Sequence, residues 1–510
     1  MKKTWQAVVA TTALTLALST TLTVSTEATS AQNTFKADHL ADLDAAFAQA
    51  AEEFQVPKEL LMALSYSLTR WQDHNGEPSK DNGYGLMHVV ENDKQKNLAK
   101  AAKGLGLSKT EIQKNAIGNI RAGAYLLAMY QKELQKPLSG DINEWYEAVA
   151  NYFDSQDQEL TVLFADDVYR LLKDGASLNK DGETLALQAN GAIAPDKGTY
   201  AGIVYDGITT ESADYAPAIW NPAYSGNYQV ATRPTSHPIK HVIIHDTEGS
   251  YASAINWFKD PAAGVSAHYV IRSSDGQITQ MVAEKDIAWH ARSANSNGIG
   301  LEHEGYANQT GWYTDAMYRA SAALVRNICQ KYGIPMTRDY ILAHSEWYGN
   351  THTDPGNNWD WNYYMSLITG VTKNYSVVTV DNPQATFYGP VEYWRSVTGY
   401  GIGNAMRWTK GNGLTQVNYT VYRPNIPQAG NYEVKVFVPS NYATSTNVKY
   451  TITYNGGSIV KTVNQANYSD KWVSLGTYSF AAGTTGTVKF GDATGDNLYI
   501  AADAIKFMAR

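Results

Sequence analysis

Two histidines and one aspartate in the middle of the chain have the types and positions of metal ligands. Eight of the eleven histidines lie between residues 237 and 352. His245 ends one apolar run, His344 follows another, and Asp354 comes ten residues later, just before a Pro-Gly pair. Two imidazoles and a carboxylate at strand ends and in a loop can bind zinc and leave a fourth position for water. The alternative is that each histidine only forms hydrogen bonds in a core or at the surface.

The elements that must position these residues are predicted from the local pattern. Residues 242–244 and 269–271 are apolar runs rich in β-branched side chains, which indicates buried strands. Residues 318–331 carry apolar side chains at helical spacing and are closed by a glycine and a proline. The only cysteine, Cys329, lies on the apolar face of that predicted helix. Because the chain has only one cysteine, a disulfide framework and a metal site of several thiolates are excluded.

Five short blocks within residues 237–370 resemble, in order and spacing, the type 2 N-acetylmuramoyl-L-alanine amidases, which share the zinc-amidase fold with peptidoglycan recognition proteins. The blocks are 241–245, 266–271, 288–291, 299–302, and 344 with 354–356. The resemblance implies a central α/β domain with a mixed sheet. It implies that His245, His344 and Asp354 hold zinc and that Glu302 is the catalytic acid/base.

The chemistry of amide hydrolysis gives each of these residues a role. Zinc lowers the pKa of a bound water to about 7, which makes hydroxide available at neutral pH. Glu302 would take a proton from that water and pass it to the departing amine of L-alanine. Glu304, two residues away on the same predicted strand face, is an alternative for this role, although the block match favours Glu302.

Two further histidines are candidates for roles in the site. Many members of the family carry a lysine two residues before the metal-binding aspartate, where this chain has His352. A cationic or hydrogen-bonding side chain there stabilises the oxyanion of the attacked carbonyl, so His352 is a catalytic candidate. His290 follows Trp289 and is a candidate for binding substrate in a groove. His268 is expected to pack or to orient another group rather than to bind metal.

Residues 36–180 have the apolar spacing of helices and resemble a lysozyme-like transglycosylase domain. The resemblance rests on residues 56–64, on Arg70 with Trp71, and on residues 83–88. That fold implies a general-acid glutamate just before the Ser/Thr-Arg-Trp sequence, where this chain has Leu68. Because leucine cannot donate a proton, we expect an all-α domain that binds glycan or is purely structural. An unrelated helical bundle is the alternative.

Residues 376–510 change to short alternating strands separated by turn residues, the pattern of an all-β sandwich. They resemble the carbohydrate-binding-like domain of golvesin and xanthan lyase proteins through framework residues in 405–408, 429–434, 472–478 and 502–507. This segment holds 11 Lys and Arg against 7 Asp and Glu, whereas the whole chain has a net charge of −8. The excess favours an anionic wall polymer as a partner, although ordinary surface variation also explains it.

Two further segments, residues 1–31 and 181–236, lie outside the three predicted domains. Residues 1–31 have the charged, apolar and small-residue order of a secretory signal peptide, so we expect a secreted protein, extracellular or wall-associated, without a membrane anchor. Residues 181–236 show no sustained period and are predicted to be a linker, or part of the amidase domain. The negative net charge argues against nucleic acid as a partner.

The sequence therefore predicts a multidomain, secreted zinc amidase that cleaves the bond between N-acetylmuramic acid and L-alanine in peptidoglycan. One alternative is a non-catalytic peptidoglycan-binding protein. Another is a glycan-cleaving enzyme acting through the first domain, against which Leu68 counts.

Overall fold

The computed structural model describes residues 39–205 and 213–510. The predicted signal peptide, residues 1–31, lies outside the described residues. Within the described part of the chain, no helix has both the length and the apolar character needed to cross a membrane.

Seven helices and two hairpins form the amino-terminal part of the structure around a shared apolar core. The helices are α1 (Leu40–Phe54), α2 (Lys58–Thr69), α3 (Asn97–Leu105), α4 (Lys109–Lys114), α5 (Ala116–Glu133), α6 (Tyr146–Phe153) and α7 (Gln158–Asp174). Side-chain caps mark the first residues of several of these helices. Ser108 and Glu111 form a reciprocal capping box on α4, and Asp157 accepts a hydrogen bond from the Leu160 amide at the start of α7.

The two hairpins make this region less purely helical than the sequence predicts. They are formed by β1 (Gly83–Tyr84) with β2 (Val89–Val90), and by β3 (Ala176–Lys180) with β4 (Glu183–Leu187). The second hairpin turns at Asp181 and Gly182, which both have positive φ, as a tight two-residue turn requires. Leu185 and Leu187 of β4 are buried in the helical core. The expectation of an all-α domain is therefore corrected by these strands.

A mixed six-stranded sheet forms the centre of the molecule, as predicted. The strands of this region are β5 (Ile219–Trp220), β6 (Tyr228–Gln229), β7 (His241–Asp246), β8 (Tyr269–Ile271), β9 (Ile278–Gln280), β10 (Ile287–Ala288), β11 (Gly298–His303) and β12 (Ile341–Ala343). The strand order is β12-β7-β11-β8-β9-β5, with β6 and β10 paired separately. Strands β12, β7, β11 and β8 run parallel, and β9 is antiparallel to β8.

Three helices accompany this sheet: α8 (Tyr251–Phe258), α9 (Asp315–Tyr332) and α10 (Trp361–Thr369). Alternation along β7 directs Val242 and Ile244 into one core with α9 and α10, while Ile243 packs in a separate cluster with Leu342. Cys329 is buried in the α9 core as predicted, and burial raises the pKa of its thiol to about 12.

Part of the segment 181–236 is integrated into the central region. Strand β5 pairs in parallel with β9, and β6 pairs with β10. Each of these strands is two residues long, which is too short to produce a periodic signal in the sequence. The boundary at residue 237 stays a prediction.

The carboxy-terminal region is built from twelve strands in three sheets. They are β13 (Val377–Val380), β14 (Thr386–Tyr388), β15 (Arg395–Thr398), β16 (Ala405–Lys410), β17 (Tyr419–Tyr422), β18 (Gly430–Val438), β19 (Val448–Tyr454), β20 (Gly457–Val463), β21 (Lys471–Phe480), β22 (Thr487–Gly491), β23 (Tyr499–Ala502) and β24 (Ile505–Ala509). Alternate residues of β18, such as Tyr432 and Val434, share one apolar core with Tyr450 and Ile452 of β19, which belongs to a different sheet.

Candidate active site

Three neighbouring parallel strands bring the candidate residues to one end of the sheet. Glu302 of β11 is the register partner of His245 of β7, so both side chains lie on the same face of the sheet. On the other side of β7, Ala343 of β12 pairs with Ile244, and His344 follows directly. The site therefore forms at the carboxyl ends of parallel strands, where open α/β sheets bind their ligands.

His245, His344 and Asp354 converge in a buried cluster. His245 Nδ1 lies 3.0 Å from Asp354 Oδ2, and His344 Nδ1 lies 3.1 Å from each carboxylate oxygen of Asp354. One ligand atom from each residue lies within 4.8 Å of the others, and all three residues are buried. The sequence thus identified three residues that the fold brings together across more than a hundred positions.

The ionisation states of His245 and Asp354 are those of metal ligands. Burial and the neighbouring His344 lower the pKa of His245 to about 3, so its imidazole is neutral. Burial opposes the charge of Asp354, but hydrogen bonds from His245 and His344 hold the pKa of that carboxyl well below its ordinary value. Neutral imidazoles and an ionised carboxylate are the forms that bind a divalent cation. This buried set of two nitrogen donors and one carboxylate fits a zinc ion with an open fourth position.

The loop that carries Asp354 is fixed at both ends. Asn350 donates a side-chain hydrogen bond to the His344 carbonyl, and the Ser345 amide donates to the Asp354 carbonyl. At the far end, a Cβ added to Gly356 would lie 2.2 Å from the carbonyl oxygen of Ala307, so this close approach requires glycine. The loop geometry explains why a glycine stands two residues after the aspartate.

Glu302 is the buried carboxylate next to the cluster. Its Oε2 atom has no hydrogen-bond partner, and the ammonium of Lys80 lies 3.6 Å from that oxygen. Burial raises the pKa of Glu302 to about 7, an effect opposed by Lys80 and reinforced by Asp354. A carboxyl group with a pKa near neutrality can both accept and return a proton at neutral pH.

Glu304 occupies a different position from its neighbour on the strand. Its two carboxylate oxygens accept hydrogen bonds from the backbone amides of Tyr251 and Ser273, at 3.0 and 2.7 Å. These bonds connect the end of β11 to the start of α8 and to the segment after β8. Glu304 therefore supports the local backbone, as the block match favoured.

His290 lies behind His245. Its Nδ1 atom is 3.0 Å from His245 Nε2, and its ring packs over Gly300, where an added Cβ would lie 2.5 Å from the imidazole. A hydrogen bond on the outer nitrogen of a metal-binding histidine fixes its tautomer and orientation. Sequence reasoning missed this supporting contact. The substrate-binding role of His290 stays a prediction.

His352 is exposed at the edge of the site and stacks on His344, with ring centroids 4.8 Å apart. Partial desolvation of the ring and the adjacent His344 lower the pKa of His352. The lowered pKa favours the neutral imidazole, which would stabilise an oxyanion by donating a hydrogen bond rather than by its charge. Its catalytic role stays a prediction.

Two other histidines near the site have structural partners. His268 is fully buried, accepts a hydrogen bond from the Gly300 amide at 3.0 Å, and contacts the Arg233 guanidinium. His303 contacts the His245 carbonyl at 2.9 Å and the Ser321 hydroxyl at 2.7 Å. Both side chains hold neighbouring strands in place beside the metal cluster.

Lys80 is the residue of the site that sequence reasoning missed. It comes from the amino-terminal helical region, between α2 and β1, and its ammonium donates a hydrogen bond to the Asp246 carbonyl at 2.7 Å. A single lysine in a polar loop carries no local signal of this contact. Only the packing of two distant segments could reveal it.

Leu68, at the position where the predicted lysozyme-like fold would need its acid, belongs to the amino-terminal region. Leu68 lies on α2 and is 2% exposed within the apolar core. The side chain is therefore part of the packing between helices and does not face a groove.

Comparison with known proteins connects these features with a family. A family model described as N-acetylmuramoyl-L-alanine amidase matches residues 235–357, and one described as Golvesin C-terminal domain matches residues 378–509. N-acetylmuramoyl-L-alanine amidase A of Achromobacter lyticus is 43% identical over 176 residues, covering 31% of this chain and 97% of that protein. The chain therefore belongs to the N-acetylmuramoyl-L-alanine amidases, amide hydrolases that act on peptidoglycan.

Other relatives match parts of the chain. The 1,6-anhydro-N-acetylmuramyl-L-alanine amidase AmpD of Salmonella typhimurium (strain LT2) is 38% identical over 112 residues, covering 20% of this chain and 57% of that protein. Xanthan lyase of Bacillus sp. (strain GL1) is 32% identical over 138 residues, covering 26% of this chain and only 14% of that enzyme. The solved amidase LysC of Clostridium intestinale is 21% identical with a TM-score of 0.23, covering 30% of this chain and 93% of that one.

Proposed function

We propose that this protein is a secreted, zinc-dependent amidase that hydrolyses the bond between N-acetylmuramic acid and L-alanine in peptidoglycan. One observation carries the proposal: His245, His344 and Asp354 form a buried donor cluster, and Glu302 lies on the same sheet face beside it. The rival role of a non-catalytic binding protein would not need all four groups. The presence of all four groups in this chain supports catalysis over binding alone.

Each of these groups has a separate role in the proposed reaction. His245, His344 and Asp354 would hold zinc, which supplies a Lewis acid for the carbonyl and lowers the pKa of water. Glu302 takes a proton from the attacking water and gives it to the nitrogen of L-alanine as the amide bond breaks. Its raised pKa suits both transfers. His352 would donate a hydrogen bond to the carbonyl oxygen as negative charge develops there.

The flanking regions would keep the enzyme on the wall. The amino-terminal region would be a lysozyme-like domain without glycan-cleaving activity, because Leu68 replaces the required acid. The carboxy-terminal region would bind an anionic wall polymer through its excess of basic residues. Such tethering raises the local substrate concentration without adding catalysis.

The binding role of the carboxy-terminal region has a direct test. Sedimentation of the full chain with purified walls should show binding that weakens as salt is raised, because screening reduces charge attraction. Walls stripped of their anionic polymers should bind less protein. Equal binding to intact and stripped walls would contradict a polymer-specific role.

Two variants test the catalytic assignment. Glu302→Gln should lower kcat by about 10²- to 10⁴-fold, the usual contribution of a general acid or base, while the zinc content measured by elemental analysis stays at the wild-type level. His344→Ala should lose both zinc and turnover. Wild-type activity in Glu302→Gln would refute the assignment of this residue.

A further inference from the structure

The amino-terminal helical region reaches into the amidase site through one side chain, that of Lys80. Its ammonium donates to the Asp246 carbonyl at 2.7 Å and lies 3.6 Å from Glu302 Oε2. The Lys80 side chain is 33% exposed, whereas that of Glu302 is 6% exposed. The second distance is that of an ion pair rather than a hydrogen bond, so Glu302 Oε2 keeps its lone pairs free.

The backbone on both sides of Lys80 is anchored within the helical region. The buried hydroxyl of Ser79 donates to Asp81 at 2.6 Å, accepts from the Gly83 amide at 2.8 Å, and lies 2.9 Å from His88 Nε2. His88 Nε2 also lies 3.0 Å from Asp81. Because Ser79 and Asp81 meet the same ring nitrogen, the group cannot work as a nucleophilic relay. It fixes the loop from which the Lys80 side chain extends.

Contacts on either side of the site hold the helical region against the amidase domain. Arg70 donates to the Ser273 hydroxyl at 2.9 Å and stacks over Trp312, and Gln309 donates to His74 at 2.9 Å. Farther along the junction, Lys94 pairs with Asp260 at 3.2 Å. Lys80 is therefore presented to Glu302 by a docked and hydrogen-bonded surface.

The electrostatic surroundings of Lys80 keep it charged. Burial disfavours the ammonium, but Glu302, Asp354 and Asp246 together hold the pKa of Lys80 above its ordinary value. The Lys80 cation thus faces a buried carboxylate whose Oε2 lacks a hydrogen-bond partner.

We propose that Lys80 is a positioning residue that holds the Glu302 carboxylate in its working orientation. The helical region would thereby complete the active site. This proposal rests on the amidase function proposed above. Lys80 keeps its proton throughout the reaction, and the transferred proton moves only between water, Glu302 and the departing amine. A small displacement of such a group can reduce turnover by about a hundredfold.

The test compares full-length variants on purified walls. Lys80→Met should lower kcat by about 10- to 100-fold with little change in KM, zinc content or Tm. Lys80→Arg should recover much of the loss, because it restores a cation. Lys80→Gln retains a donor for the Asp246 carbonyl but no charge, and it should behave like Lys80→Met. The matched control is Lys94→Met, which removes another ion pair of the same junction and should keep wild-type kcat.

A double variant separates positioning from a purely structural role. If Lys80 acts through Glu302, adding Lys80→Met to Glu302→Gln should cause no further loss of kcat. An additive loss, an unchanged kcat in Lys80→Met, or equal losses in Lys80→Met and Lys94→Met would overturn the proposal. If the wild-type protein released no L-alanine amino termini at all, the amidase function itself would fail, which is a different result.

Discussion

Glu302 and His245 show how burial sets the chemistry of single residues. The same loss of solvent that raises the pKa of the Glu302 carboxyl lowers the pKa of His245. One group becomes a proton carrier near neutral pH, and the other becomes a neutral ligand. Opposite shifts at adjacent positions of paired strands give each residue a distinct role.

The raised pKa of Glu302 has a consequence for the metal-free protein. A carboxyl whose folded-state pKa is about 7, against an ordinary value of 4.5, favours the fold below pH 4.5, and this contribution is lost as pH rises through 7. The glutamine in the Glu302→Gln variant is neutral at every pH, so this variant does not lose that stability as pH rises. In chelator-treated protein, the free energy of unfolding of this variant relative to wild type should therefore be higher at pH 8 than at pH 5, by at most about 3 kcal/mol. Its Tm relative to wild type should rise accordingly.

Thermal melts at the two pH values measure this difference. The control is Glu77→Gln, which changes an exposed glutamate and should have the same small effect at both pH values. A difference between Glu302→Gln and wild type that does not depend on pH would contradict the role of burial.

The sequence supplied the metal-binding and acid/base candidates of the site but not their supporting contacts. His245, His344, Asp354 and Glu302 could be predicted because each stands in a block of characteristic residue types and spacing. The contacts of His290 with His245 and of Lys80 with Glu302 could not. They depend on tertiary packing, which leaves no local trace in the chain.

At the scale of elements, the register of β7, β11 and β12 determines the site. A shift of one residue in β11 would turn Glu302 to the opposite face of the sheet, toward α9. The apolar runs predicted β7 and β12 well, because buried parallel strands are apolar throughout. The two-residue strands β5 and β6 could not be predicted, since two residues define no period.

Gly300 of strand β11 leaves space for the His290 ring, which lies behind the metal cluster. Gly300→Ala should displace the His290 ring, because the new Cβ would lie 2.5 Å from it, and should thereby release His245 from its supporting hydrogen bond. Loss of such a contact lowers metal affinity by about 10- to 100-fold. Competition with a chromogenic chelator measures the zinc Kd. Gly413→Ala, which places a methyl in open space, should leave the Kd unchanged.

At the scale of the whole molecule, the candidate metal site joins segments that are far apart in the chain. His245 ends β7, His344 follows β12, and Asp354 belongs to the next loop. Zinc that binds only the folded form should stabilise it by about 2.7 kcal/mol at a concentration one hundred times the Kd. We therefore expect chelation to lower Tm and added zinc to restore it.

Two variants check that this stabilisation depends on the predicted ligands. Asp354→Asn should abolish the zinc-dependent rise in Tm, while His241→Ala, which changes a histidine outside the cluster, should retain it. A zinc response that persists in Asp354→Asn would show that the metal binds elsewhere.

The three regions also contact one another and are not separate modules joined only by linkers. The helical core continues into residues of α8 and β8, and on the other side Asp339 pairs with Lys435 and Arg510 of the carboxy-terminal region. Local sequence patterns predicted the mixed sheet of the central region and the β-strands of the carboxy-terminal region. They could not predict these junctions, because the contacts join residues from separate patterns.

The most direct measurement of the central claim is mass spectrometry of purified peptidoglycan after digestion by the full-length protein. We expect stem peptides with free L-alanine amino termini from the wild-type protein and almost none of them from Glu302→Gln. New sugar reducing ends without free L-alanine, or no new ends at all, would contradict this claim.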